Sequence, residues 1–133
     1  MKYIKGIKYI TTENEWFQTT IFPERDIITE YIELYVDSKM LIKKGYSWDG
    51  PSGLAIDTKN SMTPSLGHDA LAQLMRMDRL PRRWRLQSNK DFYRWLRDRG
   101  MWWVRAITWL RMLNKFGGPS TDPRNKRAVH EAP

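Results

Sequence analysis

His68 and Asp69 stand side by side at the start of a helical pattern, and a second carboxylate, Asp91, follows on the next one beside Phe92. Ahead of them lies Gly45-Tyr-Ser-Trp-Asp-Gly-Pro-Ser-Gly53, a Gly/Pro-rich run that carries Asp49. An imidazole beside a carboxylate is a general-base pair. The acid holds the ring in one tautomer and stabilises the imidazolium that forms. In this reading His68 is the base and Asp91 its partner. Asp69 is then left for a cation, with Asp49 and the loop carbonyls of Tyr46, Trp48 and Gly50 as further oxygen ligands. Hard cations such as Ca²⁺ prefer carboxylates and carbonyls. The cation would polarise a substrate carbonyl while His68 activates water, which is hydrolysis without a covalent nucleophile. The same residues have a structural reading. Acids near a helix start are favoured by the helix dipole, and Asp-Gly and Pro-Ser are ordinary turn residues.

Competing chemistries lack their residues. The chain has two histidines, His68 and His130, too few for the usual catalytic zinc site. A metal phosphohydrolase built on His…His-Asp…Asp needs a further histidine upstream of His68. There is no cysteine, no Gly-x-Ser-x-Gly elbow and no phosphate loop ending in Gly-Lys-Ser/Thr. No organic cofactor is expected.

The elements that must position these residues follow from the apolar pattern. Residues 1–46 read as strands at Ile7–Ile10, Trp16–Phe22, Tyr31–Val36 and Met40–Ile42, rich in β-branched and aromatic side chains. Ile32, Leu34 and Val36 alternate onto one face. Asp37-Ser38-Lys39 turns the last two into a hairpin. Residues 45–63 read as a long loop. From Pro64 the pattern is helical, with Leu66, Ala70, Leu71, Leu74 and Met75 on one side. A second helix is expected over 82–98 and a third over 101–116, stopped by Gly117-Gly118-Pro119. The fold class is α+β: an N-terminal antiparallel sheet of three to four strands, then three packed helices. Residues 1–118 form a single domain, and 119–133 a basic C-terminal tail.

On the helical wheel His68 borders the apolar arc near Met75, and Asp69 turns toward Arg76. Asp91 borders the arc of the second helix, beside Trp84 and Trp95. His68 is ten residues before Asp78 and Asp91 ten after Pro81, so the two stand level, each about 15 Å from the turn, if the helices pack antiparallel. A later helix start at Ser88 would instead make Ser88-Asn-Lys-Asp91 a cap, far from His68. Both registers are open to the sequence.

Charge is lopsided. Of a net +8 over 133 residues, the first 66 contribute −1 and the remainder +9, and five of the seven tryptophans lie in that basic part. Such a half suits an anionic membrane surface, with Trp102, Trp103 and Arg105 in contact, or a phage particle protein; nucleic acid is the weaker partner, lacking a binding motif. The N-terminus lacks a signal-peptide core, and no apolar run is long enough to span a membrane. The host cytoplasm or a virion is the expected location.

Gly45, Asp49, Gly50, Ser52, His68, Asp69, Asp91, Phe92 and Gly117 together resemble a family of small phage and prophage proteins catalogued as a domain of unknown function. The likeness covers about residues 20–118. It implies a phage or prophage origin and brings no agreed activity. Residues 46–95 also resemble the phospholipase A2 superfamily, which places a calcium loop before a His-Asp helix and a second Asp-aromatic helix beyond. That resemblance implies His68 as base, Asp69 and the loop as calcium ligands, and Asp91 as the histidine's partner. The superfamily's flanking cysteines are absent, with Gly67 and Leu71 nearby; Ala72 stands where a tyrosine is frequent; and the N-terminal strands have no counterpart. Three functions are therefore expected in order: a calcium-assisted lipid or ester hydrolase, a non-catalytic phage virion or accessory protein, and a nucleic-acid-binding protein.

Overall fold

The computed structural model describes residues 3–4, 9–48, 59–116 and 118–121. Its N-terminal part is antiparallel β-structure, split into two small sheets. The first has strand order β1-β2-β7, from Tyr3–Ile4, Tyr9–Thr11 and Ser47–Trp48. The second runs β3-β6-β5-β4, from Glu15–Gln18, Lys39–Ile42, Ile32–Leu34 and Ile27–Ile28. The expected hairpin is present. Ser38 adopts φ 74°, its N–H reaches the Tyr35 carbonyl at 2.8 Å, and Tyr35 N–H reaches Lys39 O at 2.9 Å. Register pairs Phe17 with Met40 and Leu34 with Met40, so every second residue faces inward. Phe17, Ile32, Leu34, Met40 and Ile42 are buried on that face, whereas Trp16, one residue out of phase, is exposed. Val36 falls beyond β5 and is half exposed, so the expected stripe ends at Leu34.

Several expected boundaries shift. The strand expected over Trp16–Phe22 stops at Gln18, because Thr19 turns its hydroxyl onto the Ser38 carbonyl at 2.7 Å. Ile27–Ile28 and Ser47–Trp48 are strands too short for a periodic signal. The first helix, α1, runs Lys59–Arg76 and so begins before Pro64, which lies inside it. A proline read as a start signal is instead tolerated there at the loss of one helical hydrogen bond. The second, α2, is Arg85–Asp98, preceded by a 3₁₀ turn at Arg82–Trp84. The third, α3, is Trp103–Phe116.

α1 lies on the sheets, its Leu66, Leu71, Leu74 and Met75 in one buried cluster with the inward strand residues. α2 stands between α1 and α3 and shares a second cluster with α3: Phe92, Leu96, Met101, Ala106 and Trp109. Beyond α3, Gly118–Thr121 form a 3₁₀ turn with Thr121 buried. The packed domain thus extends past the expected start of the tail at 119; Gly117 and residues 122–133 lie outside the described residues. Among the described residues no helix is long and apolar enough to cross a membrane.

Candidate functional site

α1 and α2 meet where Gly67 lets them approach. A Cβ at that position would stand 2.7 Å from Phe17 and 2.8 Å from Trp95. The next residue, His68, makes its contacts with α2. Its Nε2 lies 2.7 Å from Asn89 Oδ1, and its ring packs on Phe92 with centroids 5.1 Å apart. An amide oxygen only accepts, so Nε2 carries the proton and Nδ1 is the acceptor nitrogen of a neutral ring. Burial pushes the His68 pKa down, partly offset by the Asn89 hydrogen bond. Asn89 Nδ2 donates onward to Asn114 Oδ1 at 2.9 Å. The three helices are thus joined by one polar thread, His68–Asn89–Asn114. Beside it runs an aromatic one, His68–Phe92–Trp109.

Asp91 is not part of either thread. It is 1 % exposed, and its oxygens accept from Thr20 N–H at 2.9 Å and Thr20 Oγ1 at 2.7 Å. Arg94 Nη2 adds a contact at 3.2 Å. His68 reaches Asn89 and Phe92, which bracket Asp91 along α2, and the late start at Ser88 does not occur: Ser88 sits inside α2, its hydroxyl donating to Arg85 O at 2.6 Å. The azimuth decides the partner. Asn89 and Asp91 differ by two residues, about 200° around a helix. Asn89 consequently faces α1 and α3, while Asp91 faces the chain leaving β3. There Trp95 Nε1 and Arg94 also donate to Gln18 O, at 3.1 and 2.7 Å. The pairing of His68 with Asp91 is corrected to His68 with Asn89.

Of the residues expected to hold calcium, Asp49 and Gly50 lie outside the described residues. Asp69 and Tyr46 do come together, but through the phenol rather than the carbonyl. The Tyr46 hydroxyl donates to Gln73 Oε1 at 2.8 Å and lies 3.4 Å from Asp69 Oδ2. The Tyr46 carbonyl accepts from Thr11 N–H at 2.9 Å. Trp48 pairs with Tyr9 across β7 and β2, and its ring is buried against that tyrosine. Among the described residues no group of three or more His, Asp or Glu side chains stands ready for a metal.

Trp102 and Trp103, at 66 % and 54 % exposed, present apolar surface at the start of α3. Arg105 is partly buried, and its Nη2 has no acceptor among the described residues. Sequence reasoning missed Asn89, Asn114, Thr20 and Gln73. One signal for Asn89 was present: it precedes Phe92 and Leu96 by three and seven residues, so it occupies the apolar stripe of α2. Family models, curated proteins and solved structures give no match for this chain.

Proposed function

We propose that this chain is a non-catalytic phage virion or accessory protein, in which His68, Asp69 and Asp91 hold the fold together. The observation that carries this reading is the division of labour between Asp91 and His68. The acid that would orient a catalytic histidine spends both oxygens on Thr20 and Arg94. His68 in turn spends its Nε2–H on a helix-joining asparagine. The exposed Trp102, Trp103 and Phe116, on the basic half of the chain, supply apolar area for a partner. The phage assignment itself rests on the sequence resemblance. The protein is expected in purified particles of a phage that encodes it, or in a defined assembly with their components. Absence from both overturns the reading.

A second reading, the calcium-assisted hydrolase, is favoured by one observation. A neutral His68 with Nε2–H fixed by Asn89 has Nδ1 as a proton acceptor, the state a general base requires. Asn89 would then take the orienting role assigned to Asp91. Thermal unfolding with and without millimolar Ca²⁺, on wild type and Asp69→Asn, separates the two. A ligand of the native state raises its midpoint. The first reading expects no rise and no release of fatty acid from phosphatidylglycerol vesicles. A rise lost in Asp69→Asn, with hydrolysis lost in a folded His68→Ala protein, establishes the second.

A further inference from the structure

The connection from β3 to β4 and the turn from α1 to α2 enclose a cleft of about 250 Å³, built from residues that take no part in the His68 seam. Arg25, Arg79 and Arg83 line it, with Glu24 as the one acid and Ile27 and Trp84 among the apolar walls. All three arginines are exposed, and together they give this small space a positive potential that attracts anions. Two ion pairs among the described residues, Lys43–Glu33 and Arg94–Asp91, lie elsewhere. Arg25, Arg79 and Arg83 have no carboxylate within 4.0 Å among the described residues.

Two of these arginines are held in place. Arg79 Nη2 donates to the Ile28 carbonyl at 3.0 Å, and Arg83 lies over the Trp84 ring at 5.8 Å. A guanidinium has five donors, so one such bond leaves most of Arg79 unspent. Trp84 forms one wall of the same cleft. Its indole Nε1 is buried and has no hydrogen-bond acceptor among the described residues. That buried atom is shut off from solvent, so a ligand in the cleft meets the Trp84 ring rather than its Nε1, and the indole signal reports the ligand's arrival.

We propose that this cleft binds the phosphate group of a small phosphomonoester. The charge fits: three arginines against one glutamate leave +2, matching a monoester carrying about −2 at neutral pH. The donor count fits as well. Three phosphate oxygens accept from several guanidinium N–H groups, whereas a carboxylate has two oxygens and half the charge. The volume admits the phosphate and a small organic body against Ile27 and Trp84, not a large ligand.

The test is a titration with phenyl phosphate at constant ionic strength, followed by ¹⁵N–¹H spectra of the tryptophan indoles. Trp84→Phe assigns the Trp84 resonance. A saturable shift of that resonance is expected. Arg25→Gln and Arg83→Gln, both at exposed positions, should each weaken binding about tenfold, the worth of one charge-assisted bond. Arg111→Gln, exposed on α3, should leave it unchanged. No saturable shift, or equal binding in Arg83→Gln with the remaining indole signals intact, overturns the proposal. A short oligothymidine without terminal phosphates that binds as tightly as phenyl phosphate overturns the monoester assignment.

Discussion

Burial holds the His68 imidazole below its ordinary pKa, so the folded protein favours the neutral ring. The unfolded chain takes its proton near the ordinary value of 6.5. Above that pH both states are neutral and the full contribution to stability is present. As pH falls below it, the unfolded state binds a proton that the folded state refuses, and stability declines. The thermal midpoint should therefore drop between about pH 7 and pH 5 more steeply in wild type than in His68→Gln, measured by circular dichroism. Asp91 acts differently. It is a buried carboxylate satisfied by Thr20 N–H, Thr20 Oγ1 and Arg94. Asp91→Ala takes the carboxylate away from the Thr20 donors and cuts the tie between α2 and the chain leaving β3. The expected loss is about 2–4 kcal/mol in urea unfolding. A loss under about 0.5 kcal/mol would show that the tie contributes nothing net.

Between elements, the α1–α2 contact depends on the missing side chain at Gly67. Both nearest groups, Phe17 and Trp95, are buried aromatic rings that pack on each other with centroids 5.0 Å apart. They have little room to retreat, so Gly67→Ala should destabilise by about 1–3 kcal/mol despite its better helix propensity. A neutral or stabilising outcome in chemical unfolding would mean that the helices can separate freely. The long apolar patterns of α2 and α3 were legible because a 3.6-residue period, sustained over several turns, matches a helix and mismatches a strand. The start of α1 was not, because Pro64 is a local signal that tertiary packing overrode. The two-residue strands were not legible either. They exist through their partners, Ile27–Ile28 by pairing with β5 and Ser47–Trp48 by pairing with β2.

Across the molecule, the end of the described chain returns to the start of α2. Arg82 Nε reaches Thr121 Oγ1 at 3.2 Å and Arg82 Nη2 reaches Gly118 O at 3.2 Å. The Thr121 hydroxyl donates to Gly118 O at 2.8 Å and is buried. Thr121→Val keeps the shape and removes the hydroxyl, and should cost about 1 kcal/mol in urea unfolding. If Arg82→Gln abolishes that cost, the bond to Arg82 is its source, as a double-mutant cycle would show. Arg85 works in parallel, donating to the Leu113 carbonyl at 3.2 Å near the end of α3. Part of the excess positive charge in the C-terminal half therefore serves helix ends and chain closure, where cations complement exposed carbonyls.

The class of the fold was readable from the residues without any coordinates. Alternating β-branched residues followed by three helical stripes admit little besides antiparallel strands and then packed helices, because each apolar face must be covered. The same pattern singled out His68 and the seam on which that residue lies. Its partner, by contrast, was set by packing. Asn89 and Asp91 are near neighbours in sequence and nearly opposite on the helix, so a rotation of α2 settled by the packing of Phe92 and Trp95 chose the amide over the acid. The cleft of Arg25, Arg79 and Arg83 was likewise invisible in the sequence, since it unites arginines from two connections more than fifty residues apart. Local periodicity specifies which residues turn inward; only the docking of one element on another specifies what they meet.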